Sequence, residues 1–318
     1  MDRVTRLIAT VMARRLAQAV LVALLVSSLC FFMVRLLPGD MASEIASGRY
    51  GQEMTSAAAA QAVREELRLD QPAWQAWLSW LGDLARLDLG RSYSQGTPVL
   101  ELIRSQLGTT LQLSGMALLL SFVIGPPIGM LAGLRPGGLL DRASVAASAV
   151  LRSVPPFVIG IVLIIIFAVT LKWLPAAGHT RSGTIILPAL TLALGLAAVS
   201  SRVVRTAMVD VARSDYFHFP LTKGLPMPQV VASHGIRNVA VPAVTHLGMQ
   251  LVYLIEGVIV VETLFAWPGI GHALSHAVRE RDIPVIQGTV LAMALMFILF
   301  NALVDLLIAA IDPRLRAR

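Results

Sequence analysis

The sequence predicts an all-α membrane protein with about six transmembrane helices. Hydrophobic residues make up 56% and charged residues 14% of the 318 residues, and the mean hydropathy is +0.73. This apolar content exceeds what the core of a soluble domain of this length requires. A bilayer core about 30 Å thick needs a helix of about 20 apolar residues, and about six stretches meet that length. They are residues 16–37, 107–134, 143–171, 185–204, 239–261 and 284–311.

The basic residues predict that both chain termini lie in the cytoplasm. Short positively charged segments beside membrane spans face the cytoplasm, and most of the basic residues lie in such segments. They are Arg3, Arg6, Arg14, Arg15, Arg135, Arg142, Arg202, Arg205, Arg213, Lys223, Arg237, Arg314, Arg316 and Arg318. The net charge of +7 is therefore distributed by membrane side and does not form one patch, so no nucleic-acid partner is expected.

The chain is expected to divide into four parts along its length. Residues 1–37 hold the N-terminus and the first span, residues 38–106 form an extended external segment, and residues 312–318 form a cytoplasmic tail. Residues 107–311 are the membrane core of five helices, with a cytoplasmic loop near 205–238. All five tryptophans (Trp74, Trp77, Trp80, Trp173 and Trp267) lie in segments assigned to the outside, as in an aromatic belt at one membrane face.

Two helices are predicted in the external segment. The first covers residues 55–69, with Thr55 or Ser56 as its cap, and the second covers residues 71–85, with Pro72 near its start. Helical spacing puts one apolar set of side chains on a single face of the second helix: Trp74, Trp77, Leu78, Leu81 and Leu84. This face lies flat on the bilayer or on neighbouring spans, or else Trp74, Trp77 and Leu81 dock an external binding protein.

Ionisable residues inside the predicted spans are candidates for a polar path through the membrane. Glu256 and His246 lie within the fifth span, and Arg152 lies in the third just before Pro155. A charge near the bilayer centre costs about 2.5–3.5 kcal/mol on an insertion scale, so each must pair, snorkel or line a hydrated cavity. Breaks at proline and glycine, such as 125–127 and 155–156, are expected either from kinked packing or from such a cavity.

The loop at 210–238 contains a second set of features. A short helical segment is expected to end at Gly224, since glycine suits a left-handed cap.

Short motifs that match the pattern of one transport-protein family occur in order along nearly the whole chain. They are residues 37–40, 69–72, 88–92, 173–176, 215–216, 223–225, His234, 237–238, Pro242, Glu262, 265–269, 284–288, Asn301, Asp305 and 312–314. Together they resemble the permeases of the dipeptide/oligopeptide/nickel family of ABC importers.

The resemblance implies a multi-pass protein of a bacterial inner membrane whose external segment is periplasmic. The chain would be the transmembrane subunit of an ATP-driven importer that moves a small polar solute from periplasm to cytoplasm. Di- or oligopeptides are the expected substrates, with nickel or a metal chelate as the alternative. The implied partners are a second homologous permease, two ATPase subunits or domains and a periplasmic substrate-binding protein.

The resemblance also implies an ATPase-coupling loop formed by a short helix and the residues after it. The positions that match the family's loop are Asp215, Tyr216, Lys223, Gly224, Leu225, His234, Arg237 and Asn238. One departure is His218-Phe219-Pro220, where the family has small residues. Proline lacks an N–H donor, so we expect a coupling helix that starts at Pro220 or is bent there.

The chain is not expected to be an enzyme. A phosphate-binding P-loop requires Gly-Lys followed by Ser or Thr, and the only lysines, Lys172 and Lys223, are preceded by Leu and Thr. No catalytic residue and no cofactor is therefore assigned to the chain, and ATP and Mg²⁺ are expected in the partner ATPases. An autonomous channel or ion-coupled carrier, the remote alternative, would not need the basic loop.

Metal binding is not expected either. The single cysteine, Cys30, excludes a disulfide framework and a cysteine-based metal site. His272 and His276 share one face of a predicted external helix, as two metal ligands would, but no third ligand is evident beside them. A solvated interfacial helix is the preferred interpretation of this pair.

Overall fold

A computed structural model describes residues 3–36, 39–51, 56–67, 69–179 and 183–311. Within these ranges the chain is helical, with no strand longer than the single bridge between Arg91 and Pro98. The all-α prediction is therefore confirmed. The predicted cytoplasmic tail, 312–318, lies outside the described residues.

Thirteen α-helices occur in the part of the chain that the structure describes. They are α1 (Arg3–Arg35), α2 (Met41–Tyr50), α3 (Ala57–Glu66), α4 (Ala73–Ala85), α5 (Val99–Leu134), α6 (Leu139–Ser153), α7 (Pro156–Leu163), α8 (Ile186–Ala212), α9 (Asp215–Thr222), α10 (Met227–Val230), α11 (Ile236–Leu264), α12 (Ile270–Arg279) and α13 (Ile283–Ile311). Two π-helical segments, Ile164–Thr170 and Val231–Gly235, continue α7 and precede α11.

Four helices in the described ranges are long and apolar enough to cross a bilayer. They are Met12–Met33 within α1, the whole of α5 and α8, and Ile283–Leu303 within α13. A fifth candidate is the pair formed by α6 and by α7 with its π-helical extension. The described helices thus provide four or five candidate spans.

The third predicted span, 143–171, is a broken helix and not a continuous one. The helix axis turns by 107° between its two halves. Val154 has an extended backbone (φ −97°, ψ 128°), because a residue before proline is driven out of the helical region. Pro155 and Pro156 also lack the N–H groups that would continue the helix, so α6 ends and α7 begins with Pro156 at its first position.

The chain forms two compact units. The larger comprises residues 1–11, 111–267 and 299–318. Its described part has two apolar clusters. One is built from α5, α7, α8 and α11 around Leu113, Leu187, Leu254 and Phe265, and the other surrounds the end of α8 and is described below.

The smaller unit comprises residues 12–110 and 268–298. In it α2 packs on α3 through Ala42, Ile45, Ala46 and Val63, all of which are buried. A second cluster joins the first turns of α5 to α12 and to the start of α13.

The predicted external helices correspond to α3 and α4. Ser56 caps α3 by accepting a hydrogen bond from the backbone N–H of Ala59 at 3.2 Å, while Thr55 lies outside the described residues. Helix α2 was not predicted. Its buried positions, 42, 45 and 46, have helical spacing, but they are too few and too small to be conspicuous in the sequence.

Candidate functional site

Helix α9 lies at the centre of the predicted coupling loop, and one of its faces packs on other helices of the larger unit. Phe217 is only 2% exposed, and Pro220 is also buried. Phe217 belongs to an apolar cluster with the end of α8, with α10 and with the start of α11. Its buried members are Val204, Met208, Val211, Phe217, Val230, Val239 and Ala243. Helix α9 is therefore packed against the end of α8 and the start of α11.

The structure contradicts one of the two predicted forms of the coupling helix. The helix begins at Asp215 and runs through Pro220, so a helix starting at Pro220 is wrong. Ser214 is extended and precedes the first turn, where the acidic Asp215 is favoured by the helix dipole. Pro220 lacks the N–H for one intrahelical hydrogen bond, and the residue is buried.

The end of α9 is a Schellman motif. The N–H of Leu225 donates to the carbonyl of Pro220 at 3.1 Å, and that of Gly224 donates to Leu221 at 3.0 Å. Gly224 has φ +85°, the left-handed conformation that this motif requires. The predicted glycine cap is confirmed, and Leu225 packs back on the same apolar cluster.

The opposite face of α9 is exposed. Tyr216 is 46% and Phe219 60% exposed, and the Lys223 ammonium lies 4.3 Å from the centre of the Phe219 ring. Exposed aromatic groups on a helix anchored by its other face are typical of a docking surface.

Of the remaining coupling candidates, His234 lies in the π-helical segment before α11, and Arg237 and Asn238 lie in the first turn of α11. The Asn238 amide donates to the carbonyl of His234 at 2.7 Å, and the His234 ring is 2.7 Å from the Ser233 hydroxyl. Arg237 is exposed. The structure therefore brings His234 and Asn238 together across the π-helical turn.

One ion pair near this loop was not predicted from the sequence. The buried carboxylate of Asp141, at the start of α6, accepts two hydrogen bonds from Arg205 of α8, at 2.7 and 2.8 Å. It also accepts one from the N–H of Gly137 at 2.8 Å. This pair fixes α6 to α8. No spacing in the sequence relates two residues that lie so far apart along the chain.

A cavity of about 390 Å³ lies between α6, α7, α8 and α11. Its lining residues are Leu151, Arg152, Val154, Pro156, Ile159, Thr191, Leu192, Gly195, Leu196, Val199, His246, Gln250, Leu254, Gly257 and Val260. Of the three predicted path residues, the structure brings Arg152 and His246 to this cavity, and the side chain of Glu256 lies outside the described residues. Gln250 was missed, although it lies one helical turn after His246 on the same face of α11.

The predicted docking residues of α4 do not all face outward. Trp74 is 60% exposed, but Trp77 is half-buried and donates a hydrogen bond to the Ser28 hydroxyl of α1 at 3.0 Å. Leu81 is also half-buried. Part of this face therefore packs on a neighbouring helix of the same unit.

His272 and His276 lie in contact on α12. Their ring centres are 4.6 Å apart, and an Arg279 guanidinium nitrogen is 3.2 Å from the His276 ring. Within the described ranges no group of three His, Cys, Asp or Glu side chains could hold a metal ion. The cation beside His276 also disfavours a second cation there.

Comparison with known proteins identifies the family. The family model for the inner membrane component of binding-protein-dependent transport systems matches residues 125–317, and the model for the N-terminal part of such membrane components matches residues 8–114. The chain belongs to this family. The permease is therefore an inner-membrane transport component, as the resemblance in its sequence implied.

Relatives of the permease match it over nearly their whole length. A probable peptide ABC transporter permease of Sinorhizobium fredii is 36% identical over 311 residues, which cover 95% of this permease and 98% of the relative. A glutathione transport system permease of Pectobacterium atrosepticum is 39% identical and one of Escherichia coli 38%, each over 303 residues that cover 95% of this permease and 97% of the relative. The multi-pass character and the inner-membrane location predicted from sequence are confirmed.

Proposed function

We propose that this permease is one of two transmembrane subunits of an ATP-driven importer that carries short peptides or peptide-like solutes into the cytoplasm. The observation that carries the proposal is the end-to-end similarity to permeases named for peptide and for glutathione transport. These relatives do not favour the alternative of nickel or a metal chelate. The absence of a P-loop sequence supports separate ATPase subunits that hold ATP and Mg²⁺. A periplasmic binding protein would deliver the solute.

Six spans with both termini in the cytoplasm belong to this proposal. The spans would be α1, α5, the broken α6–α7 helix, α8, α11 and α13. Helix α11 has 29 residues and is about 43 Å long at 1.5 Å per residue, longer than the bilayer core. Sidedness is tested with single cysteines in a Cys30→Ala background. An impermeant maleimide should label Gln95→Cys, but not His218→Cys, in intact spheroplasts; the reverse pattern would overturn this topology.

The packing of α9 supports a coupling mechanism. The exposed face with Tyr216 and Phe219 would rest in a groove of an ATPase subunit, and the buried face with Phe217 is fixed to α8 and α11. Further along, the same two helices line the cavity. Closure of the ATPases on ATP would therefore move α9 and, through it, two walls of the cavity, which is a route for alternating access.

Gly224→Val tests the coupling mechanism. A Cβ at Gly224 meets no atom within 4 Å, so the variant acts only through the left-handed backbone at φ +85° that valine disfavours. Solute uptake and solute-stimulated ATP hydrolysis are measured with the full importer in proteoliposomes. We expect basal hydrolysis to persist, while uptake per ATP falls about tenfold. This fall corresponds to a loss of about 1.4 kcal/mol in the coupling free energy between α9 and the ATPase.

Gly96→Val is the matched control. Gly96 also has a positive φ (+69°) and open space around its Cβ position, but it lies outside α9. This variant should keep the wild-type ratio of uptake to hydrolysis. Equal ratios in both variants would remove α9 from the coupling mechanism.

A further inference from the structure

The cavity between α6, α7, α8 and α11 has apolar walls with one polar region. Among its lining residues four side chains are polar: Arg152, Thr191, His246 and Gln250. The Thr191 hydroxyl donates to the carbonyl of Leu187 in its own helix at 2.8 Å. Three groups thus remain to interact with the contents of the cavity. A largely apolar pocket with a few convergent polar groups is the usual form of a small-molecule site.

Gln250 lines this cavity and carries a buried hydrogen-bond acceptor whose orientation is fixed. Its side chain is only 1% exposed, and its amide nitrogen donates to the carbonyl of Leu196 at 2.6 Å. Because a carbonyl can only accept, this bond decides which end of the amide is the nitrogen. The amide oxygen is buried and accepts no hydrogen bond within the part of the chain described. A buried acceptor without a donor is destabilising, so its retention indicates a donor supplied by something else.

Arg152 presents a cation to the same cavity. It lies in the last turn of α6, and among the side chains that the structure describes no carboxylate forms an ion pair with its guanidinium within 4 Å. The negative end of the α6 dipole partly stabilises the positive charge there. A guanidinium offers two parallel N–H donors, which match the two oxygens of a carboxylate.

His246 adds a third group on the side of Gln250. The two residues are one helical turn apart on α11, and such positions lie about 5–6 Å apart. The Nε2 atom of His246 is buried without a hydrogen-bond partner among the described residues. The acceptor of Gln250 and the ring of His246 are thus adjacent on one wall, and Arg152 comes from another helix.

We infer that this cavity binds the C-terminal end of a short peptide. Arg152 holds the terminal carboxylate, the Gln250 amide oxygen accepts a peptide N–H, and His246 makes a further polar contact beside it. A volume of about 390 Å³ is near the lower end of the range for ligand pockets, about 300–1,000 Å³, which fits two or three residues and not a long chain. The apolar walls accept varied side chains. This inference rests on the proposed function and adds a selection step inside the membrane subunit.

The test is direct binding to the assembled importer in nanodiscs, without transport. Gly195 lines the cavity, and a Cβ there meets no atom within 4 Å, so Gly195→Cys in a Cys30→Ala background places a thiol in the open space. The rate at which a small methanethiosulfonate modifies this thiol is measured with N-acetyl-trialanine or its C-terminal amide present. The acid should slow modification at a concentration about 10–100 times lower than the amide, since a hydrogen bond to a charged group contributes about 1.5–3 kcal/mol.

Variants of the two recognition residues decide the outcome. Arg152→Gln should bring the acid to the weak level of the amide, and Gln250→Leu should weaken acid and amide alike. Arg152→Lys retains the charge and can be used if Arg152→Gln does not assemble. It should show a preference for the acid over the amide that is intermediate between wild type and Arg152→Gln. Ser153→Ala is the matched control, because the Ser153 hydroxyl donates to Ala149 in its own helix, and it should behave as wild type.

Three outcomes would overturn the inference. The acid and the amide could protect the thiol equally, neither peptide could protect it, or the preference for the acid could persist in Arg152→Gln. The proposed function has a separate failure, namely the absence of ATP-dependent peptide uptake by wild-type proteoliposomes. Binding without uptake would refute import, whereas uptake without the carboxylate preference would refute only this site.

Discussion

Replacement of Gly129 by alanine should destabilise the larger unit through one helix contact. A Cβ on Gly129 would lie 2.3 Å from the carbonyl oxygen of Ser201 and 3.0 Å from the backbone nitrogen of Arg205, whereas ordinary contact begins at 3.4 Å. Because both atoms belong to the backbone of α8, no side chain can rotate away. Helices α5 and α8 must separate by about 1 Å, and overpacking of this kind costs about 1–3 kcal/mol. Gly125 and Gly133 continue the same close contact at the small-residue spacing typical of membrane helices.

The assay is size-exclusion chromatography of the detergent-solubilised complex after heating. A loss of about 2 kcal/mol corresponds to a fall in the melting midpoint of about 4–8 °C for a domain of this size. Gly115→Ala is the matched control on the same helix, since its Cβ would meet nothing within 4 Å, and the better helix propensity of alanine should leave the midpoint unchanged or higher. Equal midpoints for the two variants would refute the argument from close packing.

Three further predictions use the same thermal assay. Asp141→Asn should lower the melting midpoint, because it leaves Arg205 without its carboxylate. A double replacement of Asp141 by Leu and Arg205 by Met should recover part of the loss. No recovery would contradict the ion-pair explanation. Burial lowers the pKa of His272, so the stability that its neutral form contributes is complete above its ordinary pKa of about 6.5 and is lost as the pH falls through the lower folded pKa. The midpoint should therefore fall on acidification, and His272→Gln should reduce that fall; an identical pH profile would exclude His272 as a cause. Trp77→Phe should cost about 1 kcal/mol by removing the hydrogen bond to α1, while Trp74→Phe at an exposed position should cost nothing, and equal effects would contradict the packing of α4 on α1.

The membrane character and the family were predictable from the sequence because both are recorded locally. A run of about 20 apolar residues predicts a span whatever surrounds it, and Arg or Lys beside the run predicts its orientation. The glycine cap of α9 was predictable for the same reason, since Gly224 alone supplies the left-handed backbone after a short helix. The start of α9 was not, because the helix accommodates Pro220 at a buried position, and burial depends on residues remote in the sequence.

The candidate site was predicted only in part. Arg152 and His246 were singled out because an ionisable side chain in an apolar run is conspicuous, whereas Gln250 carries no charge and gave no such signal. Its importance comes from a hydrogen bond to Leu196 on another helix, which fixes the amide and leaves its buried oxygen without a donor among the described residues. The pairing of Asp141 with Arg205 was hidden in the same way.

The sequence by itself thus determined that the chain is a helical membrane permease of an importer family, since hydrophobic length, charge placement and ordered short motifs are properties of consecutive residues. Only the tertiary structure decided where the third span breaks and turns by 107°, which face of α9 is anchored, and which polar groups share a cavity. The physical reason is that these features depend on distances between helices that are remote in sequence. The close approach at Gly129 and the hydrogen bond of Gln250 both involve atoms of α8, which lie far from them along the chain.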